Sequence, residues 1–239
     1  MGCCSSDTGA ERPDNLSLEK KTTLGKDGNR KVMYEKNEPI KIGYWKIRGL
    51  AQPIRYILAY CEHPWQEDVY EQGNAPNFSI EQWTNKKNTL NLPFPNMPYM
   101  IAEECSLTDV HAIMIYIATK FCDETLPQSA EDKARADQLY SLMKEVKSAI
   151  TGPCYVGTEK VQLKEQVKEK MAPLVTTLGK RDYLVGENLT YVDFIFLELC
   201  EFADYLTEDF INNNKNIAKY VKKVKGNKQL KKYFASTKY

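Results

Sequence analysis

Residues 43–55, Gly-Tyr-Trp-Lys-Ile-Arg-Gly-Leu-Ala-Gln-Pro-Ile-Arg, limit the possible folds more than any other stretch. The run Ile40–Trp45 is short, apolar and ends in an aromatic pair, the pattern of a strand. Gly49 then marks a turn, and Pro53 stands near the start of an amphipathic segment over 52–62. In that segment Ile54, Ile57, Leu58 and Cys61 share one helical stripe. A strand feeding a helix through a glycine turn places the Tyr44 hydroxyl at the mouth of the loop, where it can donate a hydrogen bond to a small ligand.

The same reading extends along the chain. Trp65–Tyr70 predicts a second strand, Pro98–Ala102 a third and Cys105–Leu107 a short fourth. Ser79 and Gln82 have the spacing of a reciprocal helix cap. The spacing of Val110, Ile113, Met114 and Ile117 predicts a helix over 108–120. Residues 123–130 are polar, contain Pro127 and read as a linker. Every periodic segment beyond them is helical, at 131–150, 161–179, 190–206, 215–225 and 227–235. Thr190 and Asp193 form a second capping pattern, with Leu189 placed to staple the helix start. Residues 1–39 are polar and without sustained period, and read as a mostly disordered extension. The order of elements predicts an α/β plus all-α protein: a thioredoxin-like domain over 40–122, the linker 123–130, and an all-helical domain over 131–239.

Composition excludes several classes of function. The 33 basic and 32 acidic side chains nearly cancel, so nothing in the overall charge points to nucleic acid. No apolar run approaches 18 residues, so no membrane-spanning helix is expected. The seven cysteines are scattered without paired spacing, and His63 and His111 lie far apart. Neither a disulfide framework nor a metal site is expected, and reduced thiols are the default.

The strand–loop–helix around Tyr44, the Gln82-Trp83-Thr84-Asn85-Lys86-Lys87 segment, the Phe94-Pro95-Asn96-Met97-Pro98-Tyr99 loop and the Thr190-x-x-Asp193 helix start resemble the cytosolic glutathione transferases, most closely the mu class. The resemblance covers residues 40–239 and implies the two-domain fold just described. It implies glutathione as co-substrate, no further cofactor, a homodimer, and a hydrophobic electrophile bound in the helical domain. By the same resemblance Tyr44 stabilises the glutathione thiolate, and Trp45 and Leu50 line the peptide. Trp83 and Lys87 hold the glycyl carboxylate, and Asn96 and Met97 face the cysteinyl group beside a cis Met97–Pro98 bond. Glu145 reaches a neighbouring subunit's ligand, and Tyr155 assists some electrophiles. The physical demands agree: a thiol of pKa ~8.5 needs about 1.4 kcal/mol of preferential thiolate stabilisation for each unit of lowering, and a fixed hydroxyl can supply much of it.

One position departs from the pattern. Where the mu class carries Gln-Ser at the γ-glutamyl end, this chain has Asp109-Val110. Val110 lacks the hydroxyl donor, although a backbone N–H at a helix start still favours an anion. Asp109 suits the ligand ammonium but repels the adjacent carboxylate. The γ-glutamyl end therefore reads as weakened, and a catalytically weak scaffold or binding protein of the same fold stands as the alternative to a transferase.

Met1-Gly2-Cys3-Cys4-Ser5-Ser6 fits a myristoylation signal at Gly2, with Cys3 and Cys4 placed for palmitoylation. Two acyl groups hold a protein to a membrane where one does not. The expectation is a cytoplasmic protein anchored on the cytosolic face of a membrane. The last residue, Tyr239, follows closely on the final predicted helix, whereas the mu class that the chain resembles usually carries a further tail over the electrophile pocket; the resemblance thus implies a more open pocket here.

Overall fold

A computed structural model describes residues 21–24, 30–33, 39–74, 77–155 and 160–235. The chain divides into two units, residues 1–35 and 36–239. In the first, β1 (Lys21–Leu24) pairs antiparallel with β2 (Arg30–Met33), from Lys21 opposite Met33 to Leu24 opposite Arg30. These two strands were not expected within residues 1–39. The signal was present: Thr22, Thr23 and Val32 are β-branched, and an Asp-Gly pair separates the strands. The lipidation candidates Gly2, Cys3 and Cys4 lie outside the described residues.

The second unit begins with β3 (Ile40–Trp45), α1 (Gln52–Tyr60) and β4 (Trp65–Tyr70). Strand β4 runs parallel to β3, so the intervening helix is a crossover connection. After α2 (Glu81–Lys86), β5 (Tyr99–Ile101) and β6 (Ser106–Thr108) add antiparallel strands, giving the order β4-β3-β5-β6. Helix α3 (Val110–Phe121) closes this thioredoxin-like layer. Gly43 faces Tyr99 across the sheet; a Cβ there would stand 2.0 Å from the tyrosine ring, so only glycine admits that ring beside β3.

The helical part comprises α4 (Ala130–Tyr155), α5 (Lys160–Leu178), α6 (Tyr191–Thr207), the short α7 (Phe210–Asn213), α8 (Lys215–Lys225) and α9 (Lys228–Ala235). Helix α6 is the central pillar. Phe194, Phe196, Leu197, Leu199 and Cys200 are buried on several sides of it, as expected of a helix packed against α1, α4, α5 and α8. Its start is the expected capping box, with Thr190 and Asp193 satisfying each other's backbone donors. The core continues through α1 and α3 into the sheet by way of Ile40, Ile42, Ile57 and Ile113.

Four local readings change. Helix α4 runs on to Tyr155 instead of ending at 150, and α7 was not foreseen. Ser79 and Gln82 do not form a reciprocal cap: α2 starts at Glu81, and the Gln82 side chain accepts instead from the Glu71 backbone N–H at 2.8 Å. Cys61, at the end of α1, forms a disulfide with Cys122, at the end of α3, across a Cα–Cα distance of 5.6 Å. This corrects the expectation of reduced thiols for that pair. Their separation of 61 residues hides the partnership until α1 and α3 are packed side by side.

Candidate functional site

The loop from Lys46 to Ala51 carries the chain from β3 to α1, and buried charge fixes it in place. Arg55, 1% exposed on α1, pairs with Glu67 of β4 at 2.9 Å and donates to the carbonyls of Ile47 and Arg48 at 3.2 and 3.3 Å. Arg48 reaches the opposite way, to Glu198 at 2.6 Å and Glu201 at 2.5 Å on α6, and to the Tyr56 hydroxyl at 2.7 Å. Lys225 completes the cluster at 2.7 Å from Glu201. Burial pushes the Glu198 carboxyl above its ordinary range; Glu201 is partly buried, which also pushes it up, but hydrogen bonds from Lys225 and Tyr56 hold it below.

The loop covers Tyr44. Leu50 donates its backbone N–H to the Tyr44 hydroxyl at 3.1 Å, and Gly49 crosses the ring with φ +45°. A Cβ at Gly49 would lie 2.7 Å from the ring and 2.8 Å from the hydroxyl, so a side chain there would fill the space beside the phenol. Burial raises the pKa of Tyr44, against the opposing effect of the Leu50 N–H, and the electrostatic influence of Tyr155 adds to the rise. A phenol so placed is a hydrogen-bond donor at neutral pH and not a base.

A cavity of about 190 Å³ opens beside this loop. Leu50, Asn96, Met97, Asp109 and Val110, all expected at the site, line it together. The Met97–Pro98 bond is cis, as the resemblance implied, and the Asn96 side chain accepts from the Met97 N–H at 2.9 Å. Asp109 sits just before α3 with φ +80°, an unusual backbone state for a residue with a side chain. Its Oδ1 accepts from the His111 N–H at 2.9 Å and from the Tyr140 hydroxyl at 3.3 Å.

Other expected residues stand elsewhere. Tyr44 is 8% exposed and lies behind Gly49 and Leu50 instead of on the cavity wall. Trp45 packs edge-on against Tyr70, and Trp83 is buried against Tyr70 and Tyr99. Lys87 is partly exposed past the end of α2, and Glu145 is exposed on α4; neither lines the cavity. Tyr155, half exposed at the end of α4, meets Phe78 edge-on at 5.7 Å.

Ten lining residues were not among those expected at the site, seven of them from the helical domain. Tyr140, Met143, Lys144 and Lys147 come from α4, and Ile195, Glu198 and Leu199 from α6. Both sets follow the i, i+3, i+4 spacing of one helical face, a signal already in the sequence. Which face would meet the sheet domain was not. Lys147 lies 3.6 Å from Glu198 and 3.7 Å from the centre of the Phe202 ring, and burial lowers its pKa. Among the described residues, no group of three metal-ligating side chains gathers and no helix is long and apolar enough to cross a membrane.

A thioredoxin-like sheet with a cis-proline loop, followed by a helical domain that shares a largely apolar cavity with it, defines a class of two-domain proteins. Comparison narrows it. The family model "Glutathione S-transferase, N-terminal domain" matches residues 40–119, and "Glutathione S-transferase, C-terminal domain" matches residues 154–237. Glutathione S-transferase 2 of Gallus gallus is 34% identical over 206 residues, covering 84% of this chain and 91% of that protein. Glutathione S-transferase Mu 1 of Bos taurus is 35% identical over 207 residues, covering 84% and 93%. Among solved structures, the fold is shared with NaGST-2 (TM-score 0.69, 22% identity, 84% of this chain and 99% of that one). It is also shared with the glutathione S-transferase Blo t 8 (TM-score 0.71, 23% identity, 83% and 93%). The chain belongs to the glutathione S-transferase family.

Proposed function

We propose that this transferase joins the thiol of glutathione to hydrophobic electrophiles, with Tyr44 donating a hydrogen bond to the thiolate. The observation that carries the reading is the Leu50 N–H on the Tyr44 oxygen. That bond occupies one lone pair of the phenol oxygen and leaves the hydroxyl its own proton to donate, in this reading to a sulfur that reaches past Gly49 and Leu50. The raised pKa keeps the proton in place across the neutral range. Leu50, Asn96, Met97, Asp109 and Val110 are the peptide-facing residues in this reading, and the apolar side chains Met143, Ile195 and Leu199 offer surface to an electrophile. Part of the rate comes from holding both reactants in one cleft.

Residues 40–122 form the glutathione-binding domain and 131–239 the electrophile domain in this proposal, with Trp45, Trp83 and Lys87 extending the peptide site. A homodimer brings Glu145 toward the neighbouring ligand. Membrane attachment through acyl groups at Gly2, Cys3 and Cys4 is a separate part, supported by sequence alone; a Gly2→Ala chain that stays in the membrane fraction like wild type would end it.

The test is turnover of a chromogenic electrophile by wild type and Tyr44→Phe. A fall of roughly 10- to 100-fold is expected from losing a hydrogen bond to a charged sulfur. Equal rates would remove Tyr44 from the chemistry, and failure of wild type to be retained on immobilised glutathione would favour a non-enzymatic binding protein.

A further inference from the structure

The geometry points to Lys144 as the group that takes the α-carboxylate at the γ-glutamyl end of glutathione, while Asp109 takes the α-ammonium. This rests on the glutathione-binding reading above and names the residues that set specificity at one end of it.

Three observations lead there. First, Asp109 and Val110 line the cavity where a carboxylate-binding hydroxyl was expected, and an isolated aspartate there would repel the ligand's own carboxylate. Second, Asp109 is not isolated. Lys144 Nζ stands 3.7 Å from its Oδ2, while His111 and Tyr140 hold its Oδ1. An ammonium and a carboxylate side by side on the wall match the paired charges of an α-amino acid, one against each. Third, the two lysines of the wall are not equivalent. Lys147 is held by Glu198 and the Phe202 ring with its side chain 15% exposed, whereas the Lys144 side chain is 64% exposed and its ion pair is long. An exposed pair at that distance is weak, so Lys144 can exchange Asp109 for a ligand carboxylate at little cost. Tyr140, Lys144 and Lys147 share one face of α4, which turns the amine toward the start of α3. There the backbone N–H of Val110, at the first position of a twelve-residue helix, adds a second donor to the same anion.

The experiment is titration calorimetry of the full chain with three ligands. They are glutathione, an analogue lacking the α-carboxylate and an analogue lacking the α-amino group. Wild type, Lys144→Met and Lys144→Arg are compared. Lys144→Met is expected to raise the Kd for glutathione roughly five- to tenfold and to leave the analogue lacking the α-carboxylate within about twofold. Lys144→Arg should restore most of the lost affinity. Equal losses for both ligands, or no loss for glutathione, would overturn the assignment of Lys144 while leaving glutathione binding intact. Wild type that binds none of the three ligands would overturn both readings together.

Discussion

The backbone N–H of Leu50 donates to the hydroxyl of Tyr44 at 3.1 Å. This single bond ties a sheet residue to the loop that roofs it. The phenol oxygen accepts this bond and keeps its own proton to donate. If that proton meets a thiolate, bound glutathione should ionise roughly 1–2 pH units below the free thiol, whose pKa is near 8.5. Ultraviolet titration of the thiolate in the complex checks this. In Tyr44→Phe the transition should move back up; an unchanged transition would separate the phenol from the sulfur.

Gly49→Ala should damage both stability and activity. The position has φ +45°, and the new methyl would press on the Tyr44 ring and hydroxyl at 2.7–2.8 Å. A cost of about 1–3 kcal/mol is expected from the strained backbone and the contact together. Urea unfolding measures the first effect and electrophile turnover the second. A variant with wild-type values in both would show that the loop shifts freely.

Arg48→Met should destabilise the protein by about 1–3 kcal/mol, because buried Glu198 would keep only the longer contact to Lys147 and Glu201 only the pair with Lys225. Replacing Glu201 by Gln in the same chain should return part of that loss, since the repulsion between the Glu201 and Glu198 carboxylates is then removed. Thermal unfolding of the single and double variants reports the coupling.

Asp193 gives stability a pH dependence of unusual sign for an acid. Burial raises its folded-state pKa to about 6, against the opposing backbone hydrogen bonds from Leu184 and Thr190. The unfolded value is near 3.9. The folded chain therefore binds the proton more tightly, so this group's contribution is full below about pH 4 and is lost as pH rises through about 6. The change amounts to about 3 kcal/mol. Asp193→Asn should flatten this part of the slope between pH 4 and 6, in addition to weakening the helix start. Unfolding free energies at pH 4.5 and 7 are the measurement, and a slope identical to wild type would refute the assignment.

The Cys61–Cys122 bond closes a loop of 61 residues, for which loop entropy implies about 4 kcal/mol of stabilisation. Reductant should lower the unfolding midpoint of wild type but not of Cys61→Ser. Thiol counting in denaturant should find two more thiols after reduction than before. Equal counts would show the pair to be open.

Much of the architecture was legible along the chain because strand and helix periodicity is written in contiguous residues. Ile40–Trp45 and Trp65–Tyr70 carried their bounds in apolar and aromatic content, and Thr190 with Asp193 marked the start of α6 within four positions. The contents of the cavity were less legible. Tyr140, Met143, Lys144 and Lys147 have helical spacing, but helical spacing does not say which neighbour a face will meet. Gln82 has the local spacing of a cap with Ser79, yet its amide oxygen accepts from the Glu71 N–H on the other side of a loop.

The amino-acid order by itself determined the succession of elements, the glycine turn above Tyr44 and the capping of α6, since each depends on dihedral preferences and hydrogen bonds within a few residues. Tertiary structure alone decided that Arg48 would reach Glu198 across 150 positions, that Cys61 would find Cys122, and that Lys144 would stand beside Asp109. Those meetings depend on how α1, α3, α4 and α6 pack, and packing is settled by the burial of the whole core and not by any short stretch of it.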